Sequence, residues 1–228
     1  MTGHGLKAAR MALSWTQNDA AEKLGVTQAY LSMVERGTRP VSRDIAAKAV
    51  DILNIPATAL PLEPYWNRDR DTEFFQRALG SLGYSGFAYF RRSAKVNPAE
   101  LLMEALDSEN LDSRVVEALP WLPVAYPEMD WAWLTFNAKV RDRQNRLAYV
   151  TLLASEIADK RADSTTRHAL FKTVHALERS RLAAEDTLCR QSATLAERNW
   201  LRTHRPAAAK HWNLLTDLCV ENLDRAWW

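Results

Sequence analysis

The sequence predicts an all-α protein: a five-helix N-terminal domain followed by a larger α-helical bundle. Three observations carry that prediction. All seven glycines fall before residue 87, and neither Gly nor Pro occurs between Pro127 and Pro206. A stretch of that length without breakers suits long helices better than a sheet. Apolar residues elsewhere recur at helical spacing behind Ser, Thr, Asn or Asp caps. Only Gly83 to Arg91, with Tyr84, Phe87, Tyr89 and Phe90, alternates as a strand would. It is too short to form a sheet alone and reads as a loop or edge piece.

The N-terminal elements follow in order. Leu6, Ala9 and Leu13 suit the inner face of a first helix. Thr16 caps a second, whose inward residues Ala20, Ala21 and Leu24 are small enough for a close crossing. Gly25 stands where a helix end needs a left-handed residue, and Val26 plugs the corner. Thr27 caps a third helix that buries Leu31 and Val34. Its other face carries Gln28, Ala29, Ser32 and Met33, short or amide side chains suited to base edges. Arg36-Gly37 ends this helix and Pro40 bars its continuation. Ser42 caps a fourth, with Ile45, Ala49, Ile52 and Leu53 inside. Pro61 and Pro64, with Pro56 just upstream, mark a linker. The predicted organisation is residues 1–60, a linker at 61–70, and a helical domain at 71–228.

In the second part, Glu73 to Leu82 presents Phe74, Phe75, Ala78, Leu79 and Leu82. Asn97-Pro98-Ala99-Glu100 is a cap, a first-turn proline and an early carboxylate, opening a helix through Leu106. Asp112 caps another with Val115, Val116 and Leu119 inward. Asp130 starts a long one with Trp133, Leu134 and Val140. Residues 164 to 224 continue with Leu170, Val174, Leu177, Leu188, Leu195, Leu201, Leu214 and Leu218. Glu100, Glu104 and Asp107 read as a solvated face.

Thr16-Gln17, Ala20-Ala21, Leu24-Gly25-Val26-Thr27, Glu35-Arg36-Gly37 and Pro40-Val41-Ser42 together resemble the helix-turn-helix of the phage repressor and Cro-like family. The likeness covers residues 5 to about 60 and implies a repressor-like fold that binds double-stranded DNA. By that resemblance Gln17 bonds a phosphate and braces the recognition helix. Gln28 reads adenine in bidentate fashion, and Ala29 or Met33 sits against a thymine methyl. Ser32 and Tyr30 divide between base edge and backbone. Lys7, Arg10, Arg36, Arg39 and Arg43 are the phosphate partners, with Thr27 at the helix start. The arginines could equally form a solvated face, and the whole motif could be a hairpin that only packs. No arginine stands on the recognition face, which favours amide and methyl contacts over guanine readout.

Charge points to a second copy. The first 61 residues carry seven Lys and Arg against five Asp and Glu, and the whole chain only +2. Such a balance attracts DNA weakly. The family resembled works as a dimer on half-sites about 34 Å apart, so a homodimer is expected.

A second resemblance lies in the remainder. Pro98-Ala-Glu-Leu-Leu, Val115-Val-Glu-Ala-Leu-Pro-Trp-Leu122, Asp130-Trp-Ala-Trp-Leu134 and Gln144-Asn-Arg-Leu147 look like the C-terminal region of helix-turn-helix proteins paired with abortive-infection nucleotidyltransferase toxins. That likeness implies an autoregulating antitoxin with a cognate toxin as partner. The alternatives are a repressor sensing a small molecule or phage signal, and a helical ribonuclease with a DNA-binding head.

Catalytic signals are weak. Arg198 with His204 fits a helical-ribonuclease spacing, but so do Arg205 with His211 and Arg161 with His168, as chance allows in an arginine-rich chain. No metal-ligand spacing or cofactor motif stands out, so no enzyme activity, metal or cofactor is expected. Trp121, Trp131 and Trp133 near Lys139, Arg141, Arg143 and Arg146 could hold a base. The preferred reading is tryptophans in the core and arginines outside. Trp227 and Trp228 are read as a dimer or toxin contact, because large rings at a chain end are costly when exposed. Cys189 and Cys219, in helical patterns, suggest buried thiols in a reducing cytoplasm. No apolar run approaches a membrane span and no signal-peptide pattern opens the chain, so the expectation is a cytoplasmic protein without membrane contact.

Overall fold

The computed structural model describes residues 1–62 and 70–223, and it is all-α. Thirteen α-helices are present among the described residues, with one two-residue parallel pairing, Asp186–Thr187 against Leu214–Leu215. Most of the expected linker, and Trp227 and Trp228, lie outside the described residues. The chain divides into two compact units: Met1–Pro64 with Ala94–Asn97, and Tyr65–Ser93 with Pro98–Trp228.

The first unit holds α1 (Gly3–Ala12), α2 (Gln17–Leu24), α3 (Gln28–Glu35) and α4 (Arg43–Ile52), with a 3-10 turn at Ala57–Ala59 in fifth place. Each helix begins on a side-chain oxygen. Thr2, Thr16, Thr27 and Ser42 each accept from the backbone N–H three residues on, and Thr16 with Asp19 closes a reciprocal capping box. The core is Leu6, Ala20, Ala21, Leu24, Leu31, Val34, Ile45, Ala49 and Leu53. Small residues on α2 allow close crossings, and Gly3 allows another. A Cβ there would collide with the carbonyl oxygen of Val34, so α1 meets α3 backbone to backbone. A short segment that the sequence reading assigned to the second domain belongs here. Asn97 Nδ2 donates to Leu60 O at 2.7 Å, and Lys95 pairs with Asp51 at 3.1 Å.

The second unit opens with α5 (Thr72–Leu82), capped by Asp71 and stopped at Gly83 with φ 108°. The segment read as a loop or edge piece is instead a 3-10 helix, Ser85–Phe90, laid on α5. It can approach because Gly80 has no side chain: a Cβ there would meet the carbonyl of Phe87. Then come α6 (Pro98–Asp107), α7 (Ser113–Ala118), α8 (Trp121–Ala125), α9 (Trp131–Val140), α10 (Gln144–Lys160), α11 (Ser164–Glu178), α12 (Leu195–His204) and α13 (Ala207–His211). Helix α6 is buried along its whole length, and α10 packs on α8, α9 and α11.

The breaker-free region is not one run of long helices. Residues 179–194 are outside helices, and Leu188, Leu214 and Leu218 lie in extended or irregular chain. The reason is that turns there are made without glycine. Asp142, Ala162, Cys189 and Asn213 adopt φ between 52° and 58°. Asp and Asn tolerate that region because their side chains bond locally, and Ala and Cys do not. The cysteines accordingly sit off the helices, Cys189 in a left-handed bend and Cys219 in extended chain ahead of a 3-10 turn; Cys189 is buried and Cys219 partly buried, both as free thiols.

One buried cation ties this unit together. Arg146, fully buried on α10, bonds both carboxylate oxygens of Asp186 at 2.7 and 2.9 Å. It also donates to the carbonyls of Leu106 and Ser108 at 2.8 and 3.0 Å. It was expected on an outer face. Burial is possible because its N–H groups meet a carboxylate, two carbonyls at and just beyond the end of α6, and the Cys189 sulfur at 3.7 Å. Glu100, Glu104 and Asp107 are likewise buried rather than solvated. Arg70 pairs with Glu104, and Arg141 and Arg143 with Asp107, so at least two of the three carboxylates are met by cations.

Candidate nucleic-acid interface

Helices α2 and α3 meet at Gly25, whose φ of 71° lets α2 end in a left-handed residue. Lys48 Nζ donates to Leu24 O at 3.1 Å and satisfies a free helix-end carbonyl. Leu31 and Val34 turn α3 into the core, which leaves Gln28 and Ala29 exposed and Ser32 and Met33 half-buried on the opposite side. The four residues expected to read bases thus share one accessible face, uncharged throughout.

That face is anchored from below by a chain of charge-assisted bonds. Arg10 bonds Glu35 through two parallel N–H groups, at 2.6 and 2.9 Å, and gives a third N–H to Trp15 O at 2.7 Å. Gln17 Nε2 donates to Glu35 Oε2 at 2.8 Å, and Gln28 Nε2 donates to Gln17 Oε1 at 2.7 Å. Burial alone would push the Glu35 carboxyl up. The hydrogen bonds from Arg10 and Gln17 outweigh it and hold Glu35 below the usual carboxylate range. A buried ion pair on α1 and α3 therefore sets where Gln17 stands, and Gln17 sets where Gln28 stands.

Arg10 is the expectation corrected here. It is 8% exposed, and its guanidinium is committed to Glu35 and Trp15, so it orients α3 and does not reach a phosphate. The partner of Arg10, Glu35, enters the sequence pattern only as part of the Glu35-Arg36-Gly37 motif. Its spacing from Leu31 and Val34 already placed it on the inward face, where a carboxylate requires a partner.

The remaining cations surround α3. Lys7, Arg36, Arg39 and Arg43 are all exposed. Arg36 Nε bonds Ser32 O at 3.2 Å, and Arg39 stacks over the Tyr30 ring at 5.7 Å. Tyr30 is half-buried under that guanidinium, which favours a backbone role for it over base reading. Thr27 Oγ1 accepts from Tyr30 N at 3.2 Å, and its hydroxyl proton remains available at the helix start.

The tryptophans and the Arg–His pairs of the helical unit are engaged in structural contacts. Trp121 is buried against Tyr84 and Tyr126, with centroids 5.4 and 5.9 Å away. Trp131 Nε1 bonds Pro127 O. Arg198 donates to the carbonyls of Ala193 and Gln191, while His204 stacks on Trp200 at 4.3 Å. His211 pairs with Glu178, and Arg205 with Glu185. Among the described residues, no group of three or more His, Cys, Asp or Glu could hold a metal, and no helix is long and apolar enough to cross a membrane.

Comparison with known families matches residues 6–60 to a model described as Helix-turn-helix. No curated protein and no solved structure matches the chain. The matched span runs from Leu6 in α1 to Leu60 at the end of the 3-10 turn, and so contains every residue of the Gln28–Gln17–Glu35–Arg10 chain.

Proposed function

We propose that this helix-turn-helix, DNA-binding transcription regulator is a repressor of its own promoter and the antitoxin of a toxin–antitoxin or phage-defence pair. It acts in the cytoplasm as a homodimer on two operator half-sites. The observation that carries the repressor reading is the held Gln28 amide on an uncharged, accessible face of α3. An amide whose position is fixed can address adenine through its carbonyl and its second proton. The dimer follows from charge: a chain of +2 gains little from nonspecific attraction and needs a second module.

Support for the antitoxin part is the likeness of residues 98–102, 115–122, 130–134 and 144–147 to the C-terminal regions of toxin-paired regulators. These segments lie in α6, α7–α8, the start of α9 and the start of α10, the last of which carries the buried Arg146. The proposal includes no catalytic step. Its test is footprinting upstream of the gene, together with expression of the neighbouring gene with and without this chain. Protection of a two-fold repeated site and relief of the neighbour's toxicity are expected. Protection without any rescue would leave a repressor and remove the antitoxin.

A second reading is a small-molecule sensor. It is favoured by a half-open cavity of about 440 Å³ in the helical unit, lined by Ser113, Glu117, Ser192, Thr216 and Asp217. Operator release by a small polar molecule, lost on Thr216→Val, would select it over the antitoxin.

A further inference from the structure

Helix α9 is apolar on two faces and buries only one. Leu134, Asn137 and Ala138 turn inward, whereas Phe136 is 67% and Val140 65% exposed on the other side. Ala132, Phe136 and Val140 follow one another at four-residue spacing and form a stripe along the helix. A helix apolar all round is normally covered all round.

The stripe borders a groove. Helices α9 and α11 both pack on α10, and between them lies an open depression of about 500 Å³. Trp131, Ala132, Phe136 and Ala176 make its apolar surface, Thr135 and Thr173 line it too, and each of the two helices adds a lysine, Lys139 and Lys172. Both lysines are exposed, and neither ammonium has a carboxylate partner among the described residues. An apolar floor with unpaired cations on two sides is complementary to one chemistry: an amphipathic segment with an apolar anchor flanked by Asp or Glu.

We propose that the α9–α11 groove is a docking surface for an acidic amphipathic helix of a partner protein. A second copy is disfavoured by symmetry. A two-fold contact centred on this face sets a patch whose lining charges, Lys139 and Lys172, are both positive against its own copy. A nucleic-acid strand is disfavoured by composition, because the lining carries only two cations, one on each helix, and no row of them to follow a phosphate backbone. The inference rests on the reading that the helical unit takes a protein partner, and not on that partner's being a toxin.

The test is a selection of randomly sequenced displayed peptides on the full-length protein, with fluorescence anisotropy on those enriched. Enriched peptides should carry apolar residues at helical spacing together with Asp and Glu. They should lose more than about tenfold in affinity on Phe136→Ser and on Lys139→Glu with Lys172→Glu. The same peptides with lysine in place of the acids should bind the double-Glu variant and not the native protein. The three positions are exposed, so thermal melting should shift by no more than about 2–4 °C, most of it from reversing Lys139 in the last turn of α9. Acidic peptides that ignore all three changes overturn this surface while leaving a partner-binding unit standing; no enrichment at all removes both. A fall in solution mass on Phe136→Ser overturns it in favour of self-association, and single-stranded RNA binding lost with the lysines overturns it in favour of nucleic acid.

Discussion

Gln28 Nε2 donates to Gln17 Oε1 at 2.7 Å, so the first residue of α3 is held by the first residue of α2. The bond uses one of two amide protons on Gln28. Its other proton and its carbonyl oxygen remain, and those match N7 and the N6 amino group of adenine. A side chain already fixed in the free protein loses little rotamer freedom on binding. The contact between the two glutamines is thus a preorganising one.

Gln28→Ala should therefore weaken operator binding by about 1–3 kcal/mol and leave binding to random duplex nearly unchanged. Gln17→Ala should cost less, because it loosens Gln28 without removing it. The double variant should fall short of the sum, as residues of one network do. Fluorescence anisotropy on operator and scrambled duplexes decides this. Equal loss on both would mean that α3 does not lie in the groove.

What was legible here was periodicity and capping. Thr16, Gly25, Thr27 and Ser42 fix helix ends by local chemistry, and local chemistry is written in neighbouring residues. The bonding of Arg10 was not legible, because its partner lies 25 residues away and charged residues look alike until the fold brings them together. The same holds for Arg146 and Asp186, 40 residues apart. The turns at Ala162 and Cys189 escaped for another reason: tertiary packing forces φ values that their own propensities oppose.

The Arg10–Glu35 pair makes the first unit acid-sensitive. Glu35 is held below the usual carboxylate range in the folded state, so its contribution is fully present above that range. It is lost as pH falls through the lower folded-state value. Glu35→Gln should remove this part of the pH dependence. At neutral pH it should destabilise the unit by about 3–5 kcal/mol, since Arg10 is left buried beside an uncharged partner. Urea unfolding followed through the amide signals of Leu31 and Val34, at neutral and acidic pH, checks both. An unchanged acid response in Glu35→Gln would mean that another carboxylate is responsible.

Ala162 should be improvable. It follows the last turn of α10 at φ 58°, with Asp163 N bonded to Ala158 O at 2.9 Å, an arrangement that favours glycine. The strain of an L-residue there is about 1–2 kcal/mol, against roughly 0.4–1 kcal/mol for the extra unfolded freedom of glycine. Ala162→Gly should thus raise the stability of the helical unit by about 0.5–1 kcal/mol, or about 1–4 °C in melting temperature. Asn213→Gly, at a similar φ of 52°, should destabilise instead. Its side chain donates to Leu182 O at 2.7 Å, and that bond would be lost. Calorimetry of the two variants should show shifts of opposite sign. Shifts of the same sign would mean that backbone strain is not what separates them.

Cys189 gives a direct readout of what Arg146 does. The thiol is fully buried, donates to Ala105 O at 3.3 Å, and is pushed up to about 11 by burial, so alkylation requires the unit to open. Cys219, partly exposed, should label first. Removing Arg146 leaves the Asp186 carboxylate and the carbonyls of Leu106 and Ser108 without their shared donor. Breaking such a pair costs about 3–5 kcal/mol. Converted to an opening equilibrium, that raises the labelling rate of Cys189 in Arg146→Met at least about a hundredfold. Adding Asp186→Leu should recover part of the protection, because the stranded charge is then gone while the two carbonyls stay unpaired. Mass spectrometry of iodoacetamide-treated protein separates the two cysteines. Protection of Cys189 that is unchanged in Arg146→Met would show that the unit closes over α6 and α10 without the buried pair.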